Sequence, residues 1–390
     1  MTITIRSVEP IVVSLPRNSP YLGPLGADEA VNANGYFVRA GNRTIYPTVD
    51  RSVLVRITAS DGTVGWGETY GIIAPQAVVA ILRDVLIPFV EGRSADDDPA
   101  AIYSELYDLM RVRAGSGGFY GDALAALDIA LWDVKARLRH VSVAQALGGA
   151  ITDRIPAYVS GLPRASLDER VLLAREWIAR GFHAIKYAAV VADAGVVAEM
   201  HALRAALGED VDLMTDLHWR YAADEAIDLA KRLAPARPYF VEAPCAPEDI
   251  AGLARVAAES GVPTAAGEEW HNVHEAALRL ERAPLAYVQP EVAHTGVSQF
   301  RAITQFAAQK RIATIPHATI GIGIFMAASL QAAATLRACP YHEYQHSVFD
   351  NAQRFVDTTM RCEAGFYQVP TGPGLGTAPR DELWRHVVPM

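Results

Sequence analysis

The first 150 residues show two different spacings of apolar positions. Residues 3–15 and 52–59 alternate apolar and polar side chains, which is the pattern of half-buried strands. The Ser-Asp-Gly-Thr segment at 60–63, which follows the second run, is typical of a hairpin turn. Over residues 74–149 the apolar positions instead recur at helical spacing. We therefore predict an α+β domain over residues 1–150.

A long polar segment, about residues 17–50, separates the two predicted strands. An irregular segment of this length inside a compact domain is usually functional or disordered. Its aromatic and arginine content favours a lid over a substrate, and we take Tyr36, Arg39 and Arg43 as candidate substrate-binding residues. The two arginines could clamp a distal carboxylate, which would favour a diacid.

From residue 155 onward, short apolar runs alternate with alanine-rich amphipathic segments. The runs cover residues 155–160, 183–186, 211–216, 239–242, 263–268, 286–289 and 312–316. Alternation of this kind predicts an α/β fold with a parallel barrel, which we place at residues 151–350. Residues 351–390 are rich in turns, and we expect them to return to the N-terminal domain.

Three of the apolar runs end in a carboxylate, at Asp216, Glu242 and Glu268. The two separations are equal, 26 residues each, which leaves room for one parallel strand, one helix and two loops per step. Acids at the ends of successive barrel strands would repel one another unless a cation lay among them. An all-oxygen set of ligands suits Mg²⁺ or Mn²⁺, and the spacing therefore predicts a divalent metal site.

Net charge and cysteine usage narrow the class of protein. The 44 acidic and 35 basic residues give a net charge of −9, without a long basic cluster, which argues against nucleic acid or an anionic membrane as partner. The most apolar stretch, residues 320–336, is interrupted by Ser329 and Gln331. The three cysteines have no metal-ligand spacing. We expect a cytoplasmic protein that acts on a small molecule.

Other strand ends carry residues suited to proton transfer. His317 follows one apolar run and Glu291 follows the preceding one, so a carboxylate could pair with the imidazole and raise its basicity. Lys186 could bind a carboxylate, act as a base or form a Schiff base. His218 would share the face of Asp216 on a continuing strand, where it could donate a proton or cap the next helix.

Several motifs together resemble the mandelate racemase subgroup of the enolase superfamily. They are GTVGWGE at 62–68, ALDIALWD at 126–133, LGG at 147–149 and PGLG at 373–376. The resemblance covers nearly the whole chain and implies a (β/α)7β modified TIM barrel with an N-terminal α+β capping domain. It also implies one Mg²⁺ per subunit, and we expect a homo-oligomer.

The resemblance assigns roles to individual residues. It places the metal ligands at Asp216, Glu242 and Glu268, the His–Asp base dyad at His317 and, with Glu in place of Asp, at Glu291, and the strand-eight carboxylate at Glu343. A second lysine base, common two residues after Lys186, is absent here, because Ala188 occupies that position. Lys186 together with His218 resembles the galactonate dehydratase type, in which this histidine is the general acid. We add Trp270 to the candidate substrate-binding residues.

These residues predict a Mg²⁺-dependent dehydratase of a sugar acid, an aldonate or aldarate. His317 would remove the α-proton and His218 would protonate the departing β-hydroxyl, giving a 2-keto-3-deoxy acid. A cycloisomerase of a sugar-acid lactone needs the same metal, lysine and single base. A Schiff-base aldolase using Lys186 and a non-catalytic sugar-acid binding protein are alternatives from other classes.

Overall fold

The N-terminal part of the chain is an antiparallel sheet covered by helices in the computed structural model, which describes residues 2–389. Its elements are β1 (Ile5–Pro16), β2 (Tyr36–Val38), β3 (Ile45–Pro47), β4 (Val49–Ala59), β5 (Val64–Tyr70), α1 (Pro75–Ile81), α2 (Pro99–Ala114), α3 (Gly118–Leu138) and α4 (Val143–Ala146). The main sheet has the order β1-β4-β5. Ala59 N donates to Thr63 O at 2.8 Å, which closes the turn between β4 and β5.

Helix α3 lies directly on strand β5, and two glycines make this close approach possible. A Cβ atom at Gly67 would overlap the carbonyl oxygen of Ala126, and one at Gly65 would come within 2.6 Å of Val134. The helix is therefore buried along most of its length, with an apolar cluster beneath it that includes Val55 and Leu127. The GTVGWGE motif thus serves first to pack the capping domain.

The rest of the chain forms the expected barrel. Its elements are β6 (Arg154–Ser160), α5 (Leu167–Ala179), β7 (Ala184–Ala188), α6 (Val196–Leu207), β8 (Asp212–Asp216), α7 (Ala223–Leu233), β9 (Phe240–Glu242), α8 (Ile250–Glu259), β10 (Thr264–Ala266), α9 (Val273–Leu280), β11 (Tyr287–Val288), α10 (Val292–Gln309), β12 (Ala313–Thr314), α11 (Ile324–Ala333), β13 (His342–Tyr344) and α12 (His346–Ala352). The parallel strands pair in chain order from β6 to β12, and β13 returns to pair with β6. Seven helices, α5–α11, connect these eight strands, which confirms the (β/α)7β arrangement.

The C-terminal segment contacts both halves of the molecule. It contains β14 (Val356–Thr358), β15 (Arg361–Glu363), β16 (Phe366–Gln368) and β17 (Thr377–Pro379). Strand β16 extends the barrel sheet by pairing antiparallel with β6. Further on, Val388 N donates to Val12 O at 2.9 Å, so the chain also reaches β1. The domain limits 1–150, 151–350 and 351–390 stay predictions.

The predicted lid is more ordered than its composition suggests. Strands β2 and β3 form a short antiparallel hairpin inside it, with Phe37 paired to Tyr46. Among the helices of residues 2–389, none has the length and apolar character needed to cross a membrane.

Buried carboxylates of the capping domain hold the barrel segments that carry the site. Glu68, at the end of β5, accepts hydrogen bonds from Ile324 N at 2.8 Å and Phe325 N at 3.0 Å, at the start of α11. Asp128 of α3 accepts from Ser298 of α10 at 2.5 Å through the hydroxyl. A carboxylate at a helix N-terminus satisfies amide groups that have no partner within the helix. The capping domain therefore fixes the start of α11 and the body of α10.

Candidate active site

Three acids meet at the carboxyl-terminal edge of the barrel, as the 26-residue spacing predicts. Asp216 and Glu242 are the last residues of β8 and β9, where they are paired in register, and Glu268 follows β10 by two residues. Glu242 is completely buried and Asp216 is 6% exposed. Adjacent parallel strands thus deliver three carboxylates to one place.

The chemistry of this group of acids fits a hard divalent cation. One of their buried oxygens, Glu242 Oε1, accepts no hydrogen bond from any residue in the range 2–389, and Glu268 Oε2 lies 2.8 Å from His317 Nε2. Ligand atoms of Glu242, Glu268 and His317 lie within 4.8 Å of one another. Buried carboxylate oxygens without donors are costly unless a cation or proton compensates them. The three acids, Asp216, Glu242 and Glu268, could therefore hold a metal of the Mg²⁺ type.

His317 and Glu291 form a carboxylate–imidazole pair. His317 Nδ1 donates to Glu291 Oε2 at 2.7 Å, so the glutamate reaches the ring even though the family pattern has aspartate. Tyr70 of the capping domain donates to the same oxygen at 3.0 Å, and Glu291 is itself the N-cap of α10. The bonded Nδ1 fixes the tautomer and leaves Nε2 as the nitrogen that faces other groups.

Nε2 of His317 faces two carboxylates, Glu268 Oε2 at 2.8 Å and Glu343 Oε2 at 3.3 Å. Burial alone would lower the pKa of His317, but the charges of Glu268 and Glu343 and the hydrogen bonds that the ring donates to Glu268 and Glu291 raise this pKa well above its usual range. Glu343 also accepts from Ala318 N at 3.1 Å, which anchors the carboxylate beside the histidine.

Lys186 lies between two of the acids. Its Nζ donates to Glu242 Oε2 at 2.6 Å and lies 3.2 Å from Glu343 Oε1. Burial would lower the pKa of the lysine, yet the charges of Glu242 and Glu343 raise that pKa well above its ordinary value. The side chain is therefore held as an ammonium group, suited to binding a carboxylate.

His218 occupies a strained turn immediately after β8. His218 and Trp219 both have positive φ angles, 50° and 54°, which is uncommon for residues with side chains. The turn is held by Asp216, whose Oδ1 accepts from His218 N at 2.8 Å and whose Oδ2 lies 3.1 Å from His218 Nδ1. Unusual backbone angles concentrate at functional sites, and here they turn the imidazole toward the cavity.

A cavity of about 350 Å³ covers these groups. It is lined by six of the predicted residues, namely Lys186, Asp216, His218, Glu268, His317 and Glu343. Glu242 and Glu291 contact these residues from outside the lining. The barrel edge therefore brings all eight of the predicted strand-end residues into one connected group.

The four other predicted substrate-binding residues lie outside the cavity wall. Arg39 is 2% exposed, and its guanidinium bonds to lid groups: Glu29 Oε2 at 2.7 Å and carbonyl oxygens that include Gly23 O at 2.6 Å. The hydroxyl of Tyr36 accepts from Arg51 at 2.6 Å, Arg43 is exposed, and Trp270 is completely buried.

Other lid residues line the cavity instead. They are Tyr21, Leu22, Thr44, Ile45 and Tyr46, and the rings of Tyr21 and Tyr46 lie 5.5 Å apart. These tyrosines belong to the aromatic content that indicated a lid. Nothing in their spacing separates them from Tyr36, because the difference comes from how the hairpin folds back.

Sequence reasoning also missed Asp122 and His294, which line the cavity from α3 and α10. His294 Nδ1 donates to Asp122 Oδ1 at 2.6 Å, across 172 residues of sequence. Neither residue ends an apolar run or belongs to a recognisable motif. Only the packing of the capping domain on the barrel brings the two together.

Two family models match this chain. Residues 43–148 match the mandelate racemase / muconate lactonizing enzyme N-terminal domain, and residues 169–383 match the enolase C-terminal domain-like model. The chain therefore belongs to the mandelate racemase/muconate lactonizing enzyme family of the enolase superfamily. Members of this superfamily are enzymes that bind Mg²⁺.

The curated relatives include enzymes of two reaction types. The chain is 32% identical over 340 residues to a D-galactarolactone cycloisomerase of Agrobacterium fabrum, an alignment that covers 83% of this chain and 88% of the relative. It is 29% identical over 347 residues to a D-gluconate dehydratase of Thermoproteus tenax, with 85% and 69% covered.

Solved structures agree with the fold. An enolase-superfamily member from Agrobacterium tumefaciens superposes with a TM-score of 0.96, at 50% identity and with 100% of both chains covered. A racemase from Streptomyces coelicolor A3(2) with bound magnesium has a TM-score of 0.83 at 24% identity, covering 98% of this chain and 100% of that one.

Proposed function

We propose that this enzyme is a Mg²⁺-dependent dehydratase of a sugar acid. The observation that carries the proposal is that two histidines, His317 and His218, line one cavity together with the carboxylates and Lys186. β-Elimination of water needs a base for the α-proton and an acid for the leaving hydroxyl, and the two histidines can supply one each.

A bound Mg²⁺, held by Asp216, Glu242 and Glu268, would supply positive charge to the enediolate that forms when the α-proton leaves. Lys186 would bind the same carboxylate group from the side. At about 4 Å and an effective dielectric constant near 20, one unit charge contributes about 4 kcal/mol to that stabilisation.

The protons can be followed through the site. With the charge of Glu268 compensated by a bound Mg²⁺, His317 would lose the partner that holds a proton on Nε2. His317 Nε2 would then take the α-proton, while Glu291 holds Nδ1 and stabilises the imidazolium that results. His218 gives a proton to the β-hydroxyl, which leaves as water when the C–O bond breaks. The enol that remains tautomerises to a 2-keto-3-deoxy acid. Glu343, which contacts both Lys186 and His317, would keep these two groups in position.

A lactone cycloisomerase is the second candidate, and the relative at 32% identity favours it. This reaction begins with the same proton abstraction but expels the ring oxygen of a lactone. The leaving group is then a carboxylate, which is stable without a proton, whereas hydroxide is a poor leaving group. A general acid should therefore matter much less for the lactone than for the open-chain acid.

A Schiff-base aldolase fits the geometry less well. Such an enzyme needs a neutral amine, and Lys186 Nζ instead lies against the carboxylates of Glu242 and Glu343, at 2.6 and 3.2 Å. Failure of borohydride to trap the protein with any sugar acid is the expected result.

The test is a screen of aldonic acids, aldaric acids and their lactones with Mg²⁺, with product identification by proton NMR. We expect an open-chain acid to give a 2-keto-3-deoxy acid and one water. His317→Asn should reduce this turnover about 10²–10⁴-fold, as expected for loss of a positioned base, and should also stop exchange of the α-proton with heavy water.

His218→Asn separates the two candidate functions. If the enzyme is a dehydratase, this variant should lose a similar factor in turnover while His317 still exchanges the α-proton slowly. A lactone that turns over at nearly the original rate in His218→Asn, with no open-chain acid dehydrated by the unmodified enzyme, would replace the dehydratase by the cycloisomerase. If His317→Asn exchanges and His218→Asn does not, the two roles are reversed.

A further inference from the structure

One part of the cavity wall lies where the capping domain meets the barrel. Asp122 of α3 and His294 of α10 line the cavity, and His271, which follows β10, contacts Asp122 from outside the lining. The groups proposed to act on the reacting carboxylate all lie in barrel strands or just after them. Asp122 and His294 are therefore placed to contact the remainder of a bound substrate.

The two oxygens of Asp122 have different surroundings. Oδ1 accepts hydrogen bonds from His294 Nδ1 at 2.6 Å and from His271 Nε2 at 3.2 Å. Oδ2 accepts no hydrogen bond from any donor within residues 2–389. This oxygen is also not completely buried. Asp122 thus presents one free carboxylate oxygen at the cavity wall.

This carboxylate is held rigidly and kept ionised. A Cβ atom at Gly121 would overlap the ring of His271, so the glycine leaves space for the imidazole against α3. On its other side, His271 N donates to Glu275 Oε2 at 2.8 Å. Although burial would raise the pKa of Asp122, the charge of His294 and the hydrogen bonds from both histidines lower it to about 2.

The cavity offers little to a second carboxylate of a substrate. Within the described residues, the lining contains one lysine and no arginine, and Lys186 is already placed for the reacting carboxylate. The imidazole of His294, which also lines the cavity, is already paired with Asp122 at 2.6 Å. Arg39, which could have clamped a distal carboxylate, is occupied by lid groups. A hydroxyl group, in contrast, could donate directly to the free oxygen of Asp122.

We propose that Asp122 binds a hydroxyl group at the end of the substrate remote from the reacting carboxylate, and so selects a sugar acid with one free carboxylate over a diacid. This inference rests on the proposed function, since it assumes a sugar-acid substrate, and it applies equally to an aldonate and to a lactone with one carboxylate. Selection arises because a second carboxylate would face the charge of Asp122 without a lysine or arginine partner, and because the neighbouring imidazole of His294 is already paired with Asp122.

The experiment compares binding of matched acids by calorimetry in the Mg²⁺-loaded protein. The pairs are D-gluconate with D-glucarate and D-galactonate with galactarate, measured in a His317→Asn background so that no acid is consumed. We expect the monoacid of the better pair to bind at least about tenfold more tightly than its diacid, from repulsion between like charges. Asp122→Asn should bring this ratio to within about threefold of one.

Glu275→Gln is the matched control, because Glu275 also contacts His271 but does not line the cavity. Its monoacid-to-diacid ratio should stay within about twofold of the background value. Tighter binding of the diacid, or an equal change of the ratio in both variants, overturns the assignment of Asp122 while leaving a sugar-acid enzyme. If none of the four acids binds and no acid or lactone of the screen is turned over, the proposed function fails, and the inference with it.

Discussion

The barrel edge, which carries the proposed catalytic residues, differs in construction from the part of the cavity wall that contains Asp122 and His294. At the edge, each proposed catalytic group lies in a barrel strand or just after one, and neighbours in space, such as Asp216 and Glu242, are neighbours in strand order. In the wall, Asp122 meets His294 across 172 residues and two domains. Chemistry that depends on strand order can be read from local sequence, whereas a cavity wall depends on how domains pack.

Removal of the metal should reduce turnover more than any substitution in the cavity wall, because every proposed step at the barrel edge depends on the metal. With chelator, we expect turnover to fall at least about 10³-fold and to return with Mg²⁺, since the enediolate would lose its main source of positive charge. Turnover of the proposed substrate and metal content by mass spectrometry are the measurements. Full activity in protein shown to be free of metal would contradict the metal site.

Glu242→Gln tests a single member of the barrel edge. The change removes a charge at nearly constant volume, so Mg²⁺ affinity should fall at least about 100-fold, while the melting temperature without metal changes by no more than about 4 °C. Magnesium titration followed by calorimetry gives the affinity.

The control for this variant is Glu248→Gln, which lies in the loop after β9 and outside the group of site residues. Its Mg²⁺ affinity should equal that of the unmodified enzyme. Unchanged affinity in Glu242→Gln would remove this residue from the proposed ligands.

Much of the fold follows from local pattern. Each apolar run from residue 155 to 316 overlaps a barrel strand, since a strand buried on both faces is largely apolar. The pairing of His317 with Glu291 was predicted because the two residues follow adjacent strands. The short hairpin of β2 and β3 was not predicted, because a three-residue strand in a polar segment leaves almost no periodic signal.

The lid shows most clearly why the remaining residues could not be assigned. Arg39 and Arg43 are four residues apart and chemically identical, so composition gives both the same role. Folding separates them: Arg39 is buried and bonded to carbonyl oxygens and Glu29, whereas Arg43 is exposed. A guanidinium has five donors, and only the folded lid decides whether they face the substrate or the backbone.

The smallest predicted effect is a change in KM, which we test by substituting these two arginines as a matched pair. Arg39→Met leaves the carbonyl of Gly23 and the carboxylate of Glu29 without their donor, so the closed lid should become less populated. Because Tyr21 and Tyr46 of the same lid line the cavity, KM should rise about tenfold with kcat changed little. Arg43→Met should leave both constants within about twofold, because an exposed side chain outside the cavity has little to lose. Steady-state kinetics on both variants, with melting curves to verify folding, give the comparison. A larger rise in KM for Arg43→Met than for Arg39→Met would mean that the exposed arginine contacts the substrate when the lid moves, and that the buried one only stabilises the hairpin.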